Sequence, residues 1–263
     1  MLPTSINLIG SGRMAWQLGT QMQKVGLDIK AVFSPTFSHA HELARCLKAD
    51  CPSTLFKLPQ AELCIIAVAD SAIEKVASGL PANQHLVVHT SGSQPLALLE
   101  AHCKRAGVFY PMQSFSRTST PNWARIPIFL ETTQQDDLPR LKNLARTLGC
   151  DAYELASEKR GHLHLAAVFA SNFTNHMLHL ACQSAKPLGS EEIPFEVFEG
   201  LVEETVRKAF ALGPDKAQTG PAARGDQAVI DRHLQALDHA PRVQELYRLI
   251  SASIQDHARE WAK

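Results

Sequence analysis

The chain has 263 residues, 45% of them hydrophobic and 20% charged, which suits one or two packed domains and not a disordered or fibrous chain. Its 26 Lys and Arg are balanced by 26 Asp and Glu, so no net field draws in phosphate backbones or an anionic membrane surface, and nucleic acid is not an expected partner. The start of the chain carries a polar Gly-rich turn in place of an apolar leader, no stretch reaches bilayer length uninterrupted, and six cysteines form no C-x-x-C pair; the expected setting is the cytoplasm, with reduced thiols and no membrane contact.

Ile6–Ile9 is a short apolar run, followed by Gly10-Ser11-Gly12-Arg13-Met14-Ala15 and a helix-like stretch ending at Gly26. Ile29–Phe33 then closes a strand–helix–strand unit of roughly 30 residues, the length a parallel crossover needs. Further strands are predicted at Leu63–Val68, His85–His89, Val108–Tyr110, Pro127–Leu130 and Ala152–Leu155. Helices are predicted between them at Ala40–Lys48, Ser71–Gly79, Leu96–Arg105 and Leu138–Leu148. This alternation implies an α/β domain with a mostly parallel, doubly wound sheet. Beyond Ser157 the strand signals stop, and the chain reads as helices over Glu158–Ala185, Pro194–Leu212, Asp226–Leu237 and Pro241–Ala262. The expected division is a Rossmann domain over residues 1–156 and an all-α domain over 157–263.

Gly10-x-Gly12-x-x-Ala15 fits the dinucleotide fingerprint in its proper place, after a strand and opening a helix. Gly10 allows the tight turn, Gly12 lets backbone N–H groups approach a pyrophosphate, and Ala15 keeps helix and strand close. Ser11, Arg13 and Met14 complete the turn at a helix N-terminus that attracts phosphate. An NAD-selective site places an acid at the end of the second strand, where Phe33-Ser34-Pro35-Thr36 has none. Ser34, Thr36 and Ser38 offer hydroxyls there, and Arg13, His39 and His41 offer positive charge, so NADP is favoured and NAD remains possible. Ser34-Pro35 could equally be a plain turn with Ser38 as helix cap, compatible with either cofactor.

Ligands of open α/β sheets gather beyond the carboxyl ends of the strands. Three such ends are rich in small or polar residues: Val68-Ala69-Asp70, Thr90-Ser91-Gly92-Ser93, and Tyr110-Pro111-Met112-Gln113-Ser114. Ala69 and Asp70 are candidates for the cofactor side, although Asp70 could also cap a helix. Ser91 and Ser93 could cap the next helix, and two serines around a glycine also suit an anion or carboxylate. From Leu163 to Ser184 there is no Lys, Arg, Asp or Glu, and on α-helical spacing His164, Val168, Ser171, Asn172, Asn175 and His179 share one stripe. That pattern fits the wall of a ligand cleft, or else a satisfied polar network between helices. His162 and His164 fall on different faces with no acidic ligand beside His176 or His179, so no metal site is expected. In Thr219–Asp226, Asp226 is a helix cap and Arg224 serves an ion pair in the loop or an anion at the cleft. Phe195, Phe198, Leu201, Val202, Val206 and Phe210 give one helix more apolar surface than a small domain covers, which points to a homodimer.

Gly10-x-Gly12-x-x-Ala15, His89-Thr90-Ser91-Gly92, Tyr110–Phe115, His164-x-Ala166-Ala167 with Ala170-Ser171-Asn172, and Thr219-Gly220-Pro221-x-x-Arg224-Gly225-Asp226 with His233-Leu234 together make the chain resemble a family. It is that of the poorly characterised bacterial Rossmann-like NADP oxidoreductases, relatives of pyrroline-5-carboxylate reductase and deazaflavin-dependent NADP oxidoreductase. The resemblance implies a C-terminal domain similar to that of 6-phosphogluconate dehydrogenase, and dimerisation through it. Two departures stand out: Pro35 occupies a position that often carries Arg, and Val168 stands where related β-hydroxyacid dehydrogenases place a catalytic Lys.

These residues support two readings. One is an oxidoreductase passing hydride between the nicotinamide and a small carbonyl or imine substrate in an interdomain cleft. His164 would be the proton donor, Asn172 would orient the substrate, and Ser91 would hold a substrate oxygen. Ser93, Gln113, Ser171, Asn175 and Arg224 are further cleft candidates. The other is a dinucleotide-binding sensor without chemistry, which the fold alone serves equally well.

Overall fold

In the computed structural model, which describes residues 2–185 and 194–261, seven strands form one sheet in the order β2-β1-β3-β4-β5-β6-β7. They are β1 (Ile6–Ile9), β2 (Ile29–Phe33), β3 (Leu63–Ile66), β4 (Leu86–His89), β5 (Ala106–Pro111), β6 (Ile128–Thr132) and β7 (Ala152–Glu154). The first five run parallel; β6 pairs antiparallel with β5, and β7 follows β6. All seven predicted strands are present. β1, β3 and β4 are buried at every residue, as an apolar run covered on both faces should be.

The pleat sends alternate side chains into two cores. Ile6, Leu8, Leu63, Ile65, Leu86 and Val88 enter one, with α1 (Arg13–Lys24), α2 (Phe37–Leu47) and later α5 (Leu138–Thr147). Ile9, Cys64, Ile66 and Val87 enter the other, with α3 (Ile73–Ser78) and α4 (Ala97–Glu100). The helix expected over Leu96–Arg105 shrinks to α4, because β5 begins at Ala106 and the preceding residues are already turning into it. Nor is Ser38 a cap: α2 starts at Phe37 with Thr36 as the N-cap residue.

Beyond β7 the chain is helical, with a break the α-helical spacing does not anticipate. α6 (Ser157–Ala167) leads into a π-helical segment, Val168–Phe173, and then α7 (Thr174–Ala185). By internal contacts the chain forms two compact units, Met1–Phe173 and Thr174–Lys263. A boundary at 156/157 follows the end of the strand signals; the contacts carry the first unit on through α6, for a reason the site makes plain. Among the described residues the second unit is all-α: α7, α8 (Glu199–Leu212), α9 (Pro214–Ala217), α10 (Pro221–Arg224), α11 (Gln227–Ala236) and α12 (Pro241–Trp261). Asp226 caps α11, its Oδ1 accepting the Val229 N–H at 3.2 Å. Ala262, expected in the last helix, lies outside the described residues. No helix among the described residues is long and apolar enough to cross a membrane.

Candidate active site

The strand order reverses at β1, because β2 lies on one side of it and β3 on the other. That is a topological switch point, and the crevice beyond the carboxyl ends of β1 and β3 is where such sheets take ligands. Gly10 stands there with φ +125°, and a Cβ on it would lie 2.1 Å from the Ala67 carbonyl oxygen. Its N–H donates to Phe33 O at 2.7 Å, joining the ends of β1 and β2. Gly12 differs: a Cβ there would meet nothing within 4 Å. Packing within the fold does not require glycine at 12, and the space beside it is open at the head of α1. Gly12 heads α1 without a side-chain cap, no acid lies in the first turn, and the first intrahelical bond is Trp16 N–H to Gly12 O at 2.9 Å. The N–H groups of Arg13, Met14 and Ala15 therefore remain for an anion, beside Ser11. These residues fit a dinucleotide pyrophosphate.

Around this turn, Ser34 is half-buried just past β2. Ala69 is extended and exposed past β3. Asp70 opens a 3-10 turn without capping it; its carboxylate accepts a hydrogen bond from Ser93 Oγ and so ties the end of β3 to the loop after β4. In that loop the Ser91 N–H donates to His89 Nδ1 at 3.1 Å, which puts the proton of the neutral ring on Nε2. Burial, reinforced by the charge of Arg160, lowers the His89 pKa to about 4, so the ring is uncharged near neutrality. Ser91 Oγ accepts from the N–H groups of Ser93 and Gln94 at 3.2 and 3.1 Å. Its hydroxyl is thus engaged within the turn, it does not cap the next helix, α4, whose N-cap residue is Leu96 without a side-chain bond, and Ser91 is not among the side chains lining the groove described next.

That groove, about 370 Å³, lies between the end of β5 and the α6/π-helical stretch, wholly within the first unit. His164, Ser171 and Asn172 line it with Tyr110, Gln113 and Ser114, over an apolar floor that includes Met112 and Val168. Tyr110 Oη and His164 Nδ1 are hydrogen-bonded at 3.1 Å, with the rings edge to face. Ser114 Oγ pairs with Ser171 Oγ at 2.8 Å. Burial pushes the Tyr110 phenol above its ordinary pKa, with Arg160 partly opposing, so the hydroxyl stays protonated and can donate to Nδ1. Gly92 makes the pairing possible: a Cβ there would lie 2.6 Å from both His164 Nδ1 and Tyr110 Cζ. Sequence reasoning missed Tyr110 and Gly92 as site residues, though both stand at strand ends rich in small or polar residues.

The phase of α6 is set by Arg160, whose side chain is 0% exposed. It pairs with Glu131 on β6 and donates to the Gln94 carbonyl, while Ser157 Oγ donates to Glu131 and accepts the Leu96 N–H. One helical turn separates Arg160 from His164, so this anchor at the foot of α6 aims the histidine at Tyr110. It is also why α6 counts with the first unit. Asn175 does not line this groove: it lies beyond the π-helical segment, in a recess with Leu178, His179, Cys182 and Phe195. The single α-helical stripe is therefore divided, since the wider π turn shifts every later residue around the axis. Arg224 is exposed in the second unit and forms no ion pair among the described residues, Asp226 being occupied as a cap. Another recess, about 550 Å³ between α1 and the 116–124 loop, contains none of the residues singled out from the sequence.

Among solved structures, a candidate NADP oxidoreductase from Bacteroides fragilis is 40% identical, with 96% of this chain and 98% of that one covered at a TM-score of 0.88. The chain belongs to that protein's family. The family matches the resemblance carried by the motifs, that of Rossmann-like NADP oxidoreductases. A domain of unknown function, DUF2520, matches residues 126–254. A Thermotoga maritima protein (22% identity, TM-score 0.80, 97% and 99% covered) shares the fold. So does a reductive aminase from Aspergillus terreus in complex with NADPH and ethyl-5-oxohexanoate (17%, TM-score 0.70, 98% and 94% covered). No curated protein is significantly similar in sequence. Within the family's chain, the span that matches the domain of unknown function holds Glu131, Arg160, His164, Ser171 and Asn172, while the dinucleotide turn lies outside it.

Proposed function

We propose that this chain is an NADP-dependent oxidoreductase acting on a small carbonyl or imine compound, with the groove at His164 as its substrate site. The observation that carries the reading is the Tyr110–His164 pair in a groove of the unit that also bears the dinucleotide turn. The description of the 40% identical Bacteroides protein supports it. When bound, the nicotinamide supplies or accepts a hydride. The chain's own part is to move a proton: Tyr110 holds Nδ1, donating to the neutral ring and accepting from the protonated one, and the protonated ring gives its Nε2 proton to the oxygen or nitrogen that becomes basic as its carbon is reduced, returning to the neutral form. Asn172, Gln113 and the Ser114–Ser171 pair orient the substrate's polar end, with Ser93 as an outlying candidate. Turnover of NADPH with a panel of ketones, aldehydes and imines tests the proposal. Tight NADP binding without turnover on any member would favour a sensor instead.

NADP is the proposed cofactor because Ser34 stands where an NAD-selective acid is expected. Calorimetric titration is expected to give tighter binding of NADP than of NAD, and equal or reversed affinities would overturn the preference.

A homodimer is proposed on the helical unit. α8, a 14-residue helix, has no buried residue, and Leu201, Val206 and Phe210 are 66, 45 and 89% exposed. An isolated helix of that length is marginal in water, so a covering surface is required, and a second copy pairing symmetrically provides one. Light scattering at micromolar concentration is expected to give twice the chain mass. Leu201→Glu combined with Phe210→Glu is expected to yield monomer; a monomeric parent protein would sink the idea.

A further inference from the structure

The residue after the second-strand serine is Pro35, which brings neither charge nor a backbone donor to the corner where the adenosine ribose of a dinucleotide lies. Another cation is held between the two helices that precede and follow that corner. Residues 112–122 leave β5 and cross to α1 and α2, and Gln17 clamps them: its Nε2 donates to the carbonyls of Ser116 and Ser119 at 2.5 and 2.9 Å. Gln17 is only 6% exposed, so the backbone on either side of Arg117 is fixed to α1. Between these clamps Arg117 lays its guanidinium over the Trp16 ring, 4.3 Å from the centroid, and reaches Glu42 of α2 at 2.8 Å. Helical side chains lean toward the N-terminus of their helix. Trp16 therefore covers the turn that starts at Gly12, and Glu42 the turn that starts at Ser38. The guanidinium is therefore held between α1 and α2, on the side of their opening turns, and these are the two helices that flank β2 in the chain.

We propose that Arg117 is the residue that reads the 2′-phosphate of NADP, in place of a cation at position 35, a role that rests on the NADP reading above. The side chain is suited to it. It is 41% exposed, so a ligand can reach it, and Trp16 holds the planar fork without using its donors. Glu42 holds the fork in place through one exposed pair, a weak contact that a doubly charged phosphate with three acceptor oxygens displaces at little cost. Arg13 is the competing cation; it stands on the first turn of α1 among the pyrophosphate donors, where it serves NAD and NADP alike.

The test uses the full chain and two probes that differ only in the 2′-phosphate, 2′,5′-ADP and 5′-AMP, titrated by calorimetry. Arg117→Ala is expected to weaken 2′,5′-ADP about tenfold or more and to leave 5′-AMP within about twofold, with an unchanged melting temperature. Arg117→Lys should restore part of the loss, and Glu42→Gln should tighten 2′,5′-ADP by removing the competitor. If the parent protein prefers 2′,5′-ADP and Arg117→Ala lowers both probes equally, or neither, the assignment is overturned while the NADP reading stands. Arg13→Ala removing the preference by itself would overturn the assignment in the same way. A parent protein with no preference for 2′,5′-ADP overturns both.

Discussion

Gly10→Ala is expected to destabilise the protein by about 3 kcal/mol or more, whereas Gly12→Thr leaves stability within about 0.5 kcal/mol and weakens dinucleotide binding. The two glycines of one motif do different work. At Gly10 the backbone has φ +125°, which side-chain-bearing residues rarely adopt, and the added methyl would sit 2.1 Å from the Ala67 carbonyl oxygen. Neither β1 nor β3 can move aside, because Ile9 and Ile66 are paired in register and both fully buried. Against a total stability of roughly 5–15 kcal/mol, that loss is severe. At Gly12 the backbone is extended and a Cβ meets no protein atom within 4 Å, and threonine caps a helix about as well as glycine. The side chain then occupies only the approach to the α1 N-terminus, so affinity for NADP should fall at least about tenfold. Urea denaturation of the ligand-free protein with calorimetry on the same samples separates the effects. A Gly12→Thr protein that is as unstable as Gly10→Ala, or that binds NADP normally, would show that the open space is not the ligand's.

How much of this was legible in the sequence follows from what each feature depends on. The strands were readable because a buried parallel sheet writes itself as short apolar runs, and β1, β3 and β4 are such runs. The dinucleotide turn was readable because its spacing is local. The groove was readable only in part: His164, Ser171 and Asn172 came from the absence of charge over 163–184, but α-helical spacing carried Asn175 and His179 along with them. No local signal announces the π-helical turn at Val168–Phe173 that separates the two sets. Arg160 was illegible for another reason. In the sequence it is an ordinary charge in the first turn of a helix; only the fold brings Glu131, 29 residues earlier, and the Gln94 carbonyl around it. Tyr110 lay in between, marked as a strand end but without its partner, since the 54 residues separating it from His164 are spanned by the sheet itself.

Removing the His164 imidazole is the other change expected to have a large effect. In His164→Ala, turnover should fall about a hundredfold or more, while the dissociation constant for NADP, measured by calorimetry, stays at the parent value. The separation follows from position: His164 lines the groove proposed for the substrate with Ser171 and Asn172, and the dinucleotide turn at Gly10–Ala15 belongs to a different part of the first unit. Tyr110→Phe removes only the hydroxyl that holds Nδ1, so it acts through His164 and should have a smaller effect on rate. Its signature is in the pH–rate profile. Without the phenol donating to Nδ1, the histidine loses a contact that fixes its ring and its tautomer, so the limb of the profile that reports the acid should move in Tyr110→Phe and vanish in His164→Ala. Asn172→Ala should mainly raise KM, because an orienting amide binds ground state and transition state alike. Unchanged turnover in His164→Ala would take the donor role from His164 and leave Tyr110 as the donor in the groove. Loss of turnover in Tyr110→Phe, with His164→Ala near normal, would establish that exchange of roles.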